Sequence, residues 1–270
     1  MVQIDLEKCV GCGSCVRDCT MSRICLEDGK ARVLGNCFEC GHCVCVCPTG
    51  AVTMEGYDQS EVLPIPKDGG ALDPDKLMMA IRSRRSVRQF QKKQVEREKI
   101  VPILEAARFS PTGSNAQDVE FIVLQDRLDE FTRRALKALH DLGGEMLRHA
   151  EELSHSQARY AQRFFEMEGQ YEEQGLDRLF FGAPTVLVFT GTNEIDPAIT
   201  ASKAELMANA LGLGCVYIGF FRAAAEYDPT LRQALGLEEG RHVVCTLAMG
   251  YPAVRYFRTT PRKPRKTQFM

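Results

Sequence analysis

The sequence predicts two domains: a small, cysteine-rich, metal-holding domain, then a larger layered domain of the α/β or α+β class. Three observations carry this expectation. Ten of the twelve cysteines lie between residues 9 and 47. The Pro- and Gly-rich stretch EVLPIPKDGGALDP (61–74) follows them and reads as a linker. Beyond it, helical and strand patterns alternate along the rest of the chain. The expected boundaries are therefore 1–60, 61–74 and 75–270, and 270 residues is enough for two ordinary domains.

Composition narrows the function classes. Hydrophobic residues make up 44% and charged residues 26%, with a net charge of −2. That balance gives no reason to expect a nucleic-acid partner. No apolar run approaches the roughly 20 residues of a membrane helix. The start, MVQIDLEKC, lacks the basic and apolar regions of a secretory signal, so a cytoplasmic location is expected. In that compartment, dense cysteines point to metal ligation rather than to disulfides.

Within the first domain, Cys9, Cys12, Cys15 and Cys19 have the spacing C-x2-C-x2-C-x3-C, and Cys37, Cys40, Cys43 and Cys47 repeat it 28 residues later. Three thiolates two residues apart can wrap one face of a cubane. Gly11, Gly13 and Gly41 let backbone amides approach its sulfides. A zinc site would use two separated pairs of ligands instead. The doubled motif resembles the bacterial two-cluster ferredoxin, in which the fourth cysteine of each run serves the other cluster. The resemblance implies one [4Fe–4S] centre on Cys9, Cys12, Cys15 and Cys47, and a second on Cys37, Cys40, Cys43 and Cys19. Thr20 stands where that family often has proline, whereas Pro48 fits. Cys25, Cys45, Cys215 and Cys245 read as packing residues.

In the second domain, Asp73-Pro74 offers an N-cap and a proline at the first helical position. The helix leads into RSRRSVRQF (82–90), with four arginines in seven residues. Two readings stay open here: a solvated helix end, or a phosphate site built from guanidinium forks. Residues 99–124 read as helix, polar loop (PTGSNAQ) and strand. LFFGAPTVLVFTG (179–191) holds a buried strand. A long helix over 196–221 runs through Gly212 and Gly214 into a short strand, and RHVVCTLAMGYP (241–252) is another strand.

Five ordered motifs make residues 75–265 resemble the FMN-dependent nitroreductase family. They are the R-R-S-x-R run at Arg84 to Arg88, the P-x-x-x-N-x-Q loop at Pro111 to Gln117, and the G-A-P at Gly182 to Pro184. The A-L-G-L-G helix end at Ala210 to Gly214 and the late G-Y-P with basic residues behind it complete the set. The resemblance implies an α+β domain around an antiparallel sheet and a homodimer with two FMN at its interface. It implies that Arg84, Arg85, Ser86 and Arg88 hold the flavin phosphate, ribityl chain and pyrimidine edge. Pro111, Thr112, Gly113 and Asn115 would approach FMN from the partner subunit, with Gln117 supporting the loop. Tyr217, Ile218 and Gly219 would lie over the isoalloxazine, and Arg262 with Lys263 would close on the phosphate. Asp118 departs from the proline usual there. No G-x-G-x-x-G occurs, and this family needs none.

Residues 126–182 read as a helical insertion. One helix is expected to break at Gly143-Gly144, and a second to run from about Glu145 to Glu173. Phe164, Phe165 and Tyr171 there read as packing residues, and His140, His149 and His155 as surface residues. The segment 251–270 is a basic arm, with six Lys or Arg and no acid in its last sixteen residues.

Together these readings predict an oxidoreductase without a catalytic side chain. Reduced ferredoxin or a similar donor would feed electrons through two clusters to FMN, which reduces a small organic acceptor of the nitroaromatic, quinone or activated-alkene class. Two other readings stay open: an electron-transfer adaptor of a larger complex, and a flavoenzyme driven by NAD(P)H.

Overall fold

The structure is a computed structural model that describes all 270 residues. It divides into two compact units. One comprises Met1–Leu72 together with Thr112–Ala116, and the other Asp73–Pro111 together with Gln117–Met270.

In the first unit, β1 (Val2–Ile4) and β4 (Val52–Met54) pair antiparallel and bring the two ends of the cysteine-rich stretch together. Between them lie two short helices, α1 (Ser14–Asp18) and α2 (His42–Cys45), and a hairpin of β2 (Ile24–Glu27) and β3 (Lys30–Val33). The hairpin turns on Asp28 and Gly29, both with positive φ (50° and 72°), the twist that a two-residue loop between right-twisted strands requires. Gly11 also has positive φ, and a Cβ there would lie 2.0 Å from the Gly29 carbonyl oxygen, so the first cysteine turn is pressed directly against the hairpin. Val2, Ile24, Ala31, Ala51, Val52 and Met54 form a small core with Cys9, Cys15 and Cys43. With few aliphatic side chains available, this unit depends on its cysteines for cohesion.

The second unit is built on a four-stranded antiparallel sheet. Its strands are β5 (Glu120–Leu124), β6 (Thr185–Gly191), β7 (Gly214–Tyr217) and β8 (His242–Gly250), in the order β5-β6-β8-β7. Alternation places Val186 and Val188 on one face of β6, and Leu187 and Phe189 on the other. All of β6 is buried, as its apolar run suggests for a central strand covered on both faces. One face packs on α4 (Arg97–Arg108) and α7 (Ile195–Ala210). The other packs on α5 (Leu128–Arg148), α6 (His155–Gln174), α8 (Gly219–Tyr227) and α9 (Pro229–Ala234). Helix α3 (Pro74–Ser83) begins as expected: the Asp73 carboxylate accepts from the amides of Asp75 and Lys76. The sheet is α+β in kind, with helices on both faces and no parallel pair among its strands.

The insertion differs from the sequence expectation. Helix α5 does not break at Gly143-Gly144 but runs on to Arg148. Gly143 is a packing device: a Cβ on it would come within 2.6 Å of the Ala161 carbonyl and of the Phe165 amide, so it lets α6 lie close against α5. The chain turns later. Helix α6 opens with a capping box, in which the Ser154 hydroxyl and the Gln157 side chain each accept from the other's backbone N–H. It closes on Gly175 at φ 64°. His140 stacks on Phe165 with ring centroids 4.4 Å apart, and Phe164 is buried. No helix is long and apolar enough to cross a membrane. Beyond Pro252 the arm carries no helix or strand.

Candidate functional site

The eight motif cysteines of the first unit fall into two groups in space. Cys9, Cys12, Cys15 and Cys47 line one small cavity, and Cys19, Cys37, Cys40 and Cys43 line another. Each group thus takes three cysteines from one run and the fourth from the other. The crossing follows from local structure: the first two cysteines of each run lie in a turn and the third in α1 or α2, and these short helices carry Cys19 and Cys47 away from that turn. The donor chemistry suits a metal–sulfur centre. Backbone amides donate to sulfur in both cavities: Ala31 to Cys9 at 3.4 Å, Ala51 to Cys47 at 3.2 Å, Arg23 to Cys19 at 3.2 Å and Glu39 to Cys37 at 3.3 Å. The second cavity is also lined by Arg23, whose Nε is buried without a hydrogen-bond partner. An orphaned cationic donor among four thiols is what an anionic group in that space would satisfy. Burial, with Cys37 alongside, pushes the Cys43 thiol up to about 11, so a metal would have to displace its proton. Cys45 is exposed and lines neither cavity.

In the second unit the arginine run follows α3 as an extended segment. Ser86 bridges to Cys215 on β7, and the Val87 amide donates to the Cys215 carbonyl at 3.0 Å. Farther along, Phe90 bridges to Pro252. This edge pairing turns alternate side chains to opposite sides, and the arginines part accordingly. Arg84 forms an ion pair with Glu205 of α7 at 2.9 Å, with side-chain exposures of 30% and 9%. Arg85 donates to the Thr260 hydroxyl at 3.0 Å, and Arg262 donates to the same oxygen at 3.1 Å. Arg88 lies 5.6 Å from the Phe181 ring centroid and reaches the Ser86 carbonyl at 3.4 Å. Two cations, Arg85 and Arg262, therefore meet at one hydroxyl with no carboxylate between them. Lys263 is exposed beside them in sequence.

Tyr217 ends β7 and is 40% exposed. Desolvation of its ring, with the charge of Glu205, pushes its phenol upward, so it remains a neutral donor. Ile218 is buried, and its amide donates to the Thr246 carbonyl at 2.9 Å. Gly219 is exposed at the first position of α8, with open space where a side chain would point. These three form a ledge in which only the tyrosine ring and the glycine face outward.

The polar loop after Pro111 belongs to the first unit from Thr112 to Ala116. Gly113–Asn115 form one 3-10 turn, closed by the Asn115 amide on the Thr112 carbonyl. The Asn115 side-chain amide donates to the carbonyls of Phe38 and Glu39, at 3.3 and 3.1 Å. Ser114, Asn115 and Gln117 all have positive φ. Asp118, in place of proline, accepts from the Thr192 hydroxyl at 2.8 Å, and its carbonyl accepts from Arg241 at 2.7 Å.

Sequence reasoning did not single out Glu205, Thr260 or Arg23. Glu205 had a signal: it is a lone acid among the small residues Ala201, Ala204 and Ala208 that α7 buries. Thr260 had none, since nothing in TTPRKPRK distinguishes one threonine from the next.

Residues 81–251 match the model of the nitroreductase family. The chain belongs to the nitroreductase family. Among curated nitroreductase relatives, a 4-nitrobenzoate reductase from Pseudomonas putida is 26% identical over 217 residues, covering 73% of this chain and 94% of its own. Among solved nitroreductases, one with bound FMN from Bacteroides fragilis covers 72% of this chain and 99% of its own, at 21% identity and a TM-score of 0.57. Another with bound FMN, from Desulfitobacterium hafniense DCB-2, covers 74% and 100%, at 23% identity and a TM-score of 0.55. The nitroreductase match begins at residue 81, beyond the cysteine-rich unit.

Proposed function

We propose that this protein is an FMN-dependent nitroreductase-type oxidoreductase with its own iron–sulfur relay. The sorting of eight cysteines into two crossed cavities, in one chain with a nitroreductase fold, carries this reading. Cys9, Cys12, Cys15 and Cys47 would hold one [4Fe–4S] centre, and Cys19, Cys37, Cys40 and Cys43 the other. Solved relatives of the same fold bind FMN, and the arginines here suit a phosphate. Bound FMN supplies hydride transfer to an organic acceptor, and the clusters supply single electrons.

The chain's own residues have separate tasks. Arg85 and Arg262, joined through Thr260, bind the phosphate, and Lys263 adds charge. Ser86 and Arg88 follow the ribityl chain and pyrimidine edge. Arg84 is held by Glu205 and orients this segment. Tyr217 and Gly219 shape the face on which an acceptor stacks, and the tyrosine stays protonated as a donor. Thr112, Gly113, Asn115 and Gln117 form the loop that meets FMN in a homodimer. The acceptor class is a nitroaromatic, quinone or activated alkene, and the donor is reduced ferredoxin or a protein like it. One curated relative is a 4-nitrobenzoate reductase, which favours the nitroaromatic.

Anaerobic stopped-flow tests the relay. Mixed with reduced ferredoxin, the clusters are expected to bleach before the flavin, whereas flavin bleaching by NAD(P)H with silent clusters overturns the ferredoxin route. A flavin that is reduced but never reoxidised by any acceptor would favour an electron-transfer adaptor. For the phosphate site, Arg85→Ala with Arg262→Ala is expected to weaken FMN binding by about 100-fold or more, two charge-assisted hydrogen bonds at roughly 1.5–3 kcal/mol each. Unchanged FMN affinity by fluorescence titration would count against these residues. That pair is a cleaner probe than any variant of Arg84, whose loss also strands Glu205.

A further inference from the structure

The two cysteine cavities are alike in ligands but differ in what surrounds them. No charged side chain lines the first. The two cations near it are already hydrogen-bonded: Arg17 donates to the Cys12 carbonyl at 3.1 Å and to the Ser14 hydroxyl at 3.2 Å, and Lys30 to the Cys9 carbonyl at 2.6 Å. Arg23 lines the second, with its buried Nε unpartnered. The turn between Cys37 and Cys40 is also held from outside. Asn115 donates one amide group to two successive carbonyls of that turn, Phe38 and Glu39. Glu39 sits at φ 53°, a conformation that a non-glycine residue seldom adopts without support from its surroundings.

We propose that the centre held by Cys19, Cys37, Cys40 and Cys43 is the higher-potential centre of the two, and that Asn115 and Arg23 are the positioning residues that make it so. This rests on the iron–sulfur and FMN reading above. A cationic donor beside the sulfurs stabilises the more negative, reduced centre and raises its potential. Asn115 orders the turn whose Glu39 amide donates to the Cys37 sulfur at 3.3 Å. A low-potential one-electron donor of the reduced-ferredoxin class reduces the first centre. That centre is reoxidised as it passes the electron to the second, and the second is reoxidised as it passes the electron to FMN. Two such passages, with two protons from water, complete the reduction of one FMN.

The test uses the full-length, cluster- and flavin-loaded protein, titrated potentiometrically and followed by electron paramagnetic resonance. A Cys37→Ser variant identifies the signal of the second centre by its loss. In the parent protein that signal is expected to appear at the higher potential. Asn115→Asp, which keeps the shape but removes the donor, and Arg23→Gln are each expected to lower that potential and leave the other centre unmoved. Iron release to a chelator from the second centre becomes faster. A second centre at the lower potential, or shifts confined to the first centre or absent from both, overturns the proposal. Protein that takes up no iron under reconstitution instead overturns the underlying relay reading, an outcome separable by iron and sulfide analysis before any titration.

Discussion

Replacing Arg84 by alanine is expected to destabilise the larger unit by about 3–5 kcal/mol, the usual cost of stripping one partner from a buried ion pair. Glu205 carries the argument. Its side chain is 9% exposed, it lies on the buried side of α7 beneath the arginine segment, and Arg84 at 2.9 Å is its countercharge. The guanidinium is less buried, at 30%, so its own loss of hydration is smaller than that of the acid it neutralises. Urea unfolding followed by far-ultraviolet circular dichroism measures the effect. Arg84→Ala combined with Glu205→Gln removes the orphaned charge and should regain much of the loss. If the single variant unfolds within about 1 kcal/mol of the parent, the pair is worth no more than a surface salt bridge.

The second large effect concerns the crossed cysteines. Cys47→Ser is expected to abolish the centre whose other ligands come from Cys9 to Cys15. Cys19→Ser is expected to abolish the centre formed by Cys37 to Cys43. Each substitution therefore silences the run in which it does not lie, and a signal lost from the mutated residue's own run would refute the crossing. Stability follows the same logic. The core of the first unit is nine residues, three of them cysteine, so removing both centres is expected to release the whole unit from its fold. Hydrogen exchange should then show protection lost across residues 2–54 while β6 and β8 keep theirs. Equal protection with and without metal would mean that the aliphatic residues alone suffice.

Much of this was legible in the sequence because it rests on local rules. Asp73-Pro74 starts α3 since a carboxylate caps free amides wherever it stands. The apolar run of β6 announces a central strand. The cysteine spacing announces the turns, because α1 and α2 are too short to place sulfur otherwise. What was illegible depends on contacts distant in sequence. Gly143 reads as a helix breaker until the close approach of α6 is known. Arg84 and Arg85 are neighbours of one residue type, yet one is spent on Glu205, 121 positions away, and the other on Thr260, 175 positions away. Asn115 reads as a ligand-binding amide, while its donor is committed to two carbonyls of the cysteine turn.

The Gly29 carbonyl pressed against Gly11 bears on how a duplicated module can lose its symmetry. The two cysteine runs superpose in sequence at an offset of 28, which sets Gly11 against Glu39 and Gly13 against Gly41. All four have positive φ, so the backbone repeat is intact. In the first copy the neighbouring hairpin forbids any side chain at that turn. In the second copy no hairpin presses, the position accepts a glutamate, and that glutamate pairs with the Met1 amino group at 2.9 Å while its carbonyl receives Asn115. One half of the repeat is thereby closed to further change by its own hairpin. The other is left with a turn whose side chain and carbonyl can be recruited by whatever chain segment lies beside it.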